Sequence, residues 1–257
     1  MKKIGILGGM GPEATAELFR RMIEILQGMG ISRDGDFPDI FIRSLPVPDV
    51  IEKEGTDISA MLMEGLESLQ KMGAEVLAIP CNTATCIVER TARVPGFVSI
   101  VKETAKKAKE TGCRTVGILS TRKTLKTRVY QEGLKSEGLG FVLPTEQESE
   151  EITGIILRIL AGRKFPEDKA MLERIAARMI SEGADAVILG CTELPLLFRS
   201  SSIRTIDTIQ VLAEALVREA CSDIMVRGGV MASIGACGAS GAGSNPARGP
   251  TFGGALK

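Results

Sequence analysis

The sequence predicts an α/β protein made of two similar doubly wound domains with parallel sheets, related by a pseudo-twofold. Three observations carry that expectation. Short apolar, β-rich runs alternate with longer amphipathic segments. Pieces of the first half recur in the second at a constant spacing. Each half also runs an apolar strand into a cysteine followed by polar residues. A chain of 257 residues, 44% hydrophobic and 25% charged, is long and apolar enough to build two such cores.

Residues 3–7 read as the first buried strand, with Gly8-Gly9-Met10-Gly11-Pro12 as the turn that follows. Proline suits the first turn of a helix, so a helix is expected from Pro12 toward Leu26. Residues 40–43 read as a second strand, 59–72 as an amphipathic helix and 76–80 as the next strand. Further strands are expected at 97–101, 115–119 and 186–189, with helices between them. Strands that are apolar on both faces belong in parallel sheets covered by helices on each side.

The repeat is read from four matches. Ala60-Met61-Leu62 recurs as Ala170-Met171-Leu172, Gly73-Ala74-Glu75 as Gly183-Ala184-Asp185, and Cys81 as Cys191, each 110 positions on (191 − 81). Ile4-Gly5-Ile6-Leu7 resembles Val116-Gly117-Ile118-Leu119 at an offset of 112 (116 − 4). One offset shared by helix, turn and strand end implies duplicated α/β units. The expected division is 1–100 with 208–221, then 101–207, then a flexible tail at 222–257 that is rich in Gly, Ala and Ser.

Composition removes several function classes. Lys plus Arg and Asp plus Glu both count 32, a balance that gives no support for nucleic-acid or polyanion binding. Aromatic residues make up only 4%, which argues against base-stacking platforms. No apolar run approaches the ~20 residues of a membrane helix, and the N-terminal residues lack a signal-peptide pattern, so a cytoplasmic protein is expected. Six cysteines without a C-x-x-C pair are expected as free thiols. The chain has no histidine, which excludes Ser-His-Asp and Cys-His arrangements and leaves no ligand set for zinc.

The chemistry therefore centres on Ile79-Pro80-Cys81-Asn82-Thr83-Ala84-Thr85 and Leu189-Gly190-Cys191-Thr192-Glu193-Leu194-Pro195. Ligands of parallel α/β sheets bind beyond the carboxyl ends of the strands, where both cysteines fall. Turn N–H groups and a helix dipole are expected to favour the thiolate. Cys86, Cys113, Cys221 and Cys237 have no such setting and are assigned to core or tail. Gly9-Met10-Gly11-Pro12-Glu13-Ala14 fits a G-x-G-x-x-A dinucleotide pattern, but Asp34, Asp36 and Asp39 precede the second strand rather than ending it. The milder reading is a turn whose N–H groups receive a carboxylate, with Ser120-Thr121 in the matching place of the second half.

Ile4-Gly5-Ile6-Leu7-Gly8-Gly9-Met10-Gly11-Pro12, Pro80-Cys81-Asn82-Thr83-Ala84 and Gly190-Cys191-Thr192-Glu193 resemble the hallmark segments of the aspartate/glutamate racemase superfamily, most closely its aspartate racemase branch. The resemblance spans about residues 1–221. It implies a cofactor-independent amino-acid racemase without pyridoxal phosphate or metal, acting on a small amino acid in an active site in the cleft between the two domains, and often dimeric. Cys81 and Cys191 would then be opposed acid and base. The substrate-facing set is Met10, Asn82, Thr83, Ser120, Thr121, Thr192 and Glu193. The chain departs from the aspartate-specific pattern at Thr85, where relatives carry His, at Val50, where they carry Arg, and at Leu160, where they carry Lys. Loss of those cations predicts a range broader than aspartate, unless Arg43, Arg122 or Lys123 substitutes. A hydantoin racemase, a maleate isomerase, a related cysteine-dependent decarboxylase and a non-enzymatic carboxylate-binding protein are the alternative readings.

Overall fold

The computed structural model describes residues 1–47, 57–198 and 202–228. Val50, Cys237 and the rest of the expected tail from 229 lie outside the described residues. The order is β1 (Ile4–Gly8), α1 (Pro12–Gly28), β2 (Ile40–Ser44), α2 (Ser59–Lys71), β3 (Val76–Ala78), α3 (Asn82–Thr91), α4 (Ile100–Glu110), β4 (Thr115–Leu119), α5 (Arg122–Thr127), α6 (Val129–Ser136), β5 (Gly140–Val142), α7 (Glu146–Leu160), α8 (Pro166–Ser181), β6 (Ala186–Leu189), β7 (Thr205–Asp207) and α9 (Thr208–Gly228). Both sheets are wholly parallel, ordered β2-β1-β3 and β5-β4-β6-β7. The parallel sheets and the doubly wound arrangement agree with the sequence expectation.

Alternation along the strands divides the core into three layers. Ile4 and Ile6 of β1 join Val116 and Ile118 of β4 in one central cluster, with α1, α4, α6 and α9 between the sheets. Leu7 and Leu77 face outward against Leu62, Leu66 and Leu69 of α2 and Val88 of α3. Leu119, Val187 and Leu189 face α7 and α8 on the far side of the second sheet. A side-chain period of two along each strand produces this sorting.

The repeat is also visible in the packing. A Cβ placed on Gly5 would stand 2.8 Å from Cδ2 of Leu77 and 3.1 Å from Cβ of Leu69. A Cβ on Gly117 would stand 3.2 Å from Cγ2 of Val187 and 2.7 Å from Sδ of Met179. Leu77 and Val187, like Leu69 and Met179, are 110 positions apart (187 − 77 and 179 − 69). Each central strand thus carries a glycine so that a helix can close on it.

One expected strand is corrected. Residues 97–101 make only a single parallel bridge, Leu77 to Phe97. The Ser99 side chain then accepts the N–H of Lys102 and starts α4. A serine cap outweighs the β propensity of Phe97-Val98. The bridge occupies the place β7 takes beside β6: the N–H of Leu77 donates to the Gly96 carbonyl at 2.9 Å, as that of Val187 does to Arg204. Neither β5 nor β7, each three residues long, was expected. Among the described residues no helix is long and apolar enough to cross a membrane.

Gly5→Val should lower unfolding stability by about 1–3 kcal/mol through overpacking against Ala74 and Leu77. Gly28→Ala, with nothing within 4 Å of its new methyl, should leave the melting temperature unchanged or raise it. Urea titration checks both, and an unaltered midpoint for Gly5→Val would contradict the packing described.

Candidate active site

The two cysteines stand at equivalent strand ends but in different turns. Cys81 is the N-cap of α3 in extended conformation (φ −152°, ψ 117°), and the N–H groups of Ala84 and Thr83 point to its sulfur. Cys191 leads into a 3-10 turn at Leu194–Leu196 rather than an α-helix. Its thiol donates to Oε2 of Glu193 at 2.9 Å. Both sulfurs are buried, and both feel the charge of Glu193.

Glu193 ties the halves together. Its Oε1 accepts the N–H of Gly11 at 3.3 Å, from the glycine turn after β1. Its Oε2 accepts the hydroxyl of Thr192 at 3.1 Å as well as the Cys191 thiol. The Thr192 hydroxyl also stands 3.2 Å from the Pro80 carbonyl, one residue before Cys81. The glycine turn does receive a carboxylate, and the carboxylate is the protein's own.

The sequence expectation of ready thiolates is reversed by burial. Desolvation pushes Cys81 up to about 12; the Ala84 N–H offsets part of this, and the Glu193 charge adds to it. Cys191 is raised well above the ordinary thiol range by burial first, then by the Glu193 charge and by the hydrogen bond that holds its proton. Burial also raises Glu193, against the donors from Cys191, Gly11 and Thr192. A dipole at one helix end does not outweigh removal of a small anion from water. At neutral pH both sulfurs therefore carry protons.

The remaining expected residues converge to different degrees. Asn82 is buried, and its Oδ1 accepts the hydroxyl of Tyr130 at 2.6 Å. Thr83, Thr124 and Thr121 form a buried chain of hydroxyls, 2.8 and 3.0 Å apart, that joins α3 to the start of α5. Ser120 is buried at the end of β4, 3.1 Å from where a Gly190 Cβ would stand. Met10 packs half-buried on the cluster that contains Cys81. Tyr130 and Thr124 were not anticipated; that Tyr130 is the chain's single tyrosine was the available signal.

Of the candidate cations, Arg43 bonds to Ser68 on α2, and Arg122 pairs with Glu146 and Glu150 on α7. Lys123 stands in the first turn of α5. Lys164 pairs with Glu13 at the start of α1, a clasp between the halves. Leu160 lies against the glycine turn: a Cβ on Gly11 would stand 2.6 Å from its Cδ2 and 3.1 Å from Oε1 of Glu193. An apolar methyl therefore sits beside the carboxylate at the edge of the site.

A family model described as Asp/Glu/Hydantoin racemase matches residues 7–216. The chain is similar to the broad specificity amino-acid racemase of Bacillus subtilis (strain 168), at 29% identity over 222 residues, covering 83% of this chain and 96% of that one. It is also similar to the crystal structure of an aspartate racemase homologue from Pyrococcus horikoshii OT3, at 32% identity with a TM-score of 0.70, covering 86% of this chain and 99% of that one. The Picrophilus torridus aspartate racemase shares the fold at 23% identity, with a TM-score of 0.72 and coverage of 86% and 94%.

Thiol reactivity tests these electrostatics. Alkylation of Cys81 and Cys191 by iodoacetamide, followed by peptide mass spectrometry, should be slower at pH 8 than for a free cysteine and still rising at pH 10. Glu193→Gln removes a negative neighbour and should speed Cys191 by about tenfold at fixed pH, the effect of ~1 pKa unit. A rate plateau below pH 8 would contradict protonated resting thiols.

Proposed function

The chain belongs to the Asp/Glu/hydantoin racemase family, and from that premise we propose that it inverts the α-carbon of amino acids with Cys81 and Cys191 as opposed acid and base. The observation that carries this reading is the pair of buried thiols at matched strand ends, both under the charge of Glu193. In the units proposed, 1–100 with 208–221 and 101–207, each half supplies one sulfur.

The protons balance as follows. An amino acid brings an ammonium group into a site that already holds a carboxylate, and its positive charge favours a thiolate. Cys191 passes its proton to Oε2 of Glu193, to which it is already hydrogen-bonded. Burial raises the Glu193 carboxyl and so narrows its gap to the thiol. The thiolate removes the α-proton, breaking Cα–H and forming S–H. The Cys81 thiol gives its proton to the opposite face and becomes the thiolate. Turnover closes when the Cys81 thiolate regains a proton from water and Glu193 returns its extra proton to water; no electrons are exchanged, and the reverse direction exchanges the two roles. The carbanion between the steps is held by donors already in place.

Substrate range follows from the edge of the site. Leu160 lies against Gly11, and Arg43 and Arg122 are engaged with α2 and α7. A side-chain carboxylate of aspartate placed there without a cation would lose several kcal/mol. Neutral side chains differ by only ~1–3 kcal/mol per methylene in an apolar lining. We assign the chain a broad range that includes neutral amino acids.

Cys81→Ala and Cys191→Ala should each abolish racemisation, while each variant retains exchange of the α-proton of one enantiomer into D₂O. Chiral chromatography and NMR check this, and normal turnover in either variant would end the two-thiol assignment. On the intact enzyme, kcat/KM for at least one neutral amino acid should lie within about a thousandfold of L-aspartate, ~4 kcal/mol. Leu160→Lys should shift that ratio toward aspartate by about tenfold or more, the scale of one partly exposed charge pair. A greater preference for aspartate in the unmodified protein would mean that a cation such as Lys164 or Lys123 reads the side chain.

A further inference from the structure

Tyr130 is almost fully buried, at 1% exposure, yet its hydroxyl and its ring reach opposite sides of the candidate site. The hydroxyl donates to Oδ1 of Asn82, the residue after Cys81, at 2.6 Å. The ring edge fills the space beside Gly190, the residue before Cys191: a Cβ there would stand 3.2 Å from Cε2 of Tyr130. One stiff side chain with two torsions therefore touches both cysteine turns. Burial holds the phenol neutral far into the alkaline range, so its proton stays available to Asn82.

The other end of the Asn82 carboxamide makes no such bond. Asn82 is 3% exposed, and its Nδ2 is buried without a hydrogen-bond partner among the described residues. A buried amide nitrogen left unpaired is costly, and such groups in native proteins call for a ligand or another explanation. Which end is left over decides the chemistry. A carboxamide offers two N–H donors at one end and only acceptor lone pairs at the other. With the nitrogen free it binds a carboxylate; turned over, it would repel one.

We propose that Tyr130 is a positioning residue: by occupying Oδ1 of Asn82 it fixes the carboxamide with Nδ2 presented to the substrate's α-carboxylate. The inference rests on the racemase reading above. Tyr130 touches no reacting atom in this account; its hydroxyl also meets the Thr104 side chain, and it reaches the substrate through Asn82. The ring sets the gap beside Gly190, and the hydroxyl sets the orientation of the amide.

A double-mutant cycle on the full chain tests this, with L-alanine and L-aspartate as substrates. Tyr130→Phe keeps the ring against Gly190 and removes only the hydroxyl. It should raise KM by about tenfold to a hundredfold, the scale of one buried hydrogen bond lost, with kcat changed less than about threefold. Asn82→Ala should raise KM at least as much. In the Asn82→Ala background, adding Tyr130→Phe should change kcat/KM by less than about twofold, because the partner through which the hydroxyl acts is gone. A structural role alone would instead lower the melting temperature and the active fraction in both backgrounds and leave KM in place. If Tyr130→Phe does not fold, Asn82→Asp reads the same contact: Tyr130 would hold one oxygen, and the other would face the substrate carboxylate and raise KM beyond that of Asn82→Ala. Wild-type kinetics in Tyr130→Phe, or equal losses in both backgrounds, would overturn the proposal while racemisation by the unmodified enzyme persists. Absence of α-proton exchange by the unmodified enzyme would instead overturn the racemase reading, and this inference with it.

Discussion

A carboxylate removed from water must be met by donors or it will not stay charged. Glu193 is met by its own N–H and by three further donors, which come from both halves of the molecule: the Gly11 N–H from the turn after β1, and the Thr192 hydroxyl and Cys191 thiol from the turn after β6. Thr192 extends the link to the Pro80 carbonyl, beside the other cysteine. The geometry of the site follows from satisfying this one buried group. The glycine turn has to approach closely, and a Cβ at Gly11 would press on the ends of the Leu160 and Glu193 side chains. The two strand ends have to face one another. The central cluster between the sheets and the Lys164–Glu13 pair hold the halves in that relation.

The same carboxylate shapes the electrostatics of both sulfurs. Burial alone raises each thiol, and a negative neighbour raises it further. With no histidine in the chain and Arg43 and Arg122 committed elsewhere, the resting site stores protons rather than thiolates. That state suits a reaction that takes one proton and returns another, provided that one sulfur can be emptied when substrate arrives. The two turns are not equal in this respect. Cys81 has backbone N–H groups behind it, which favour its anion, whereas Cys191 has a carboxylate that can take its proton. The pseudo-twofold thus places similar sulfurs in unlike surroundings, and the two directions of turnover start from different groups.

Much of this was legible in the sequence because it is local or repeated. The strand runs, the glycine turn and the offset of 110 between Cys81 and Cys191 are patterns within a few residues or at one constant distance. Contacts between distant residues were not legible. Gly11 and Glu193 are 182 positions apart, and Tyr130 and Asn82 are 48 apart, with nothing in either motif to announce its partner. The thiol pKa direction was misjudged for a related reason: a helix N-terminus can be read from sequence, whereas the burial that overrides it comes from the packing of both halves. Residues 97–101 misled because Phe-Val-Ser-Ile-Val is β-rich by composition, while the Ser99 cap that starts α4 depends on a single hydrogen bond.

The central claim, inversion by two separate thiols, is tested most directly by isotope flow in the unmodified enzyme. An L-amino acid that it racemises is incubated in D₂O, and the α-position of each enantiomer is followed at low conversion. Two monoprotic sulfurs on opposite faces predict α-deuterium in nearly every D molecule from the first turnover, while the remaining L pool stays protiated. Protium carried over into the D product, or deuterium entering both enantiomers at equal rates from the start, would mean that one base serves both faces and would contradict the account.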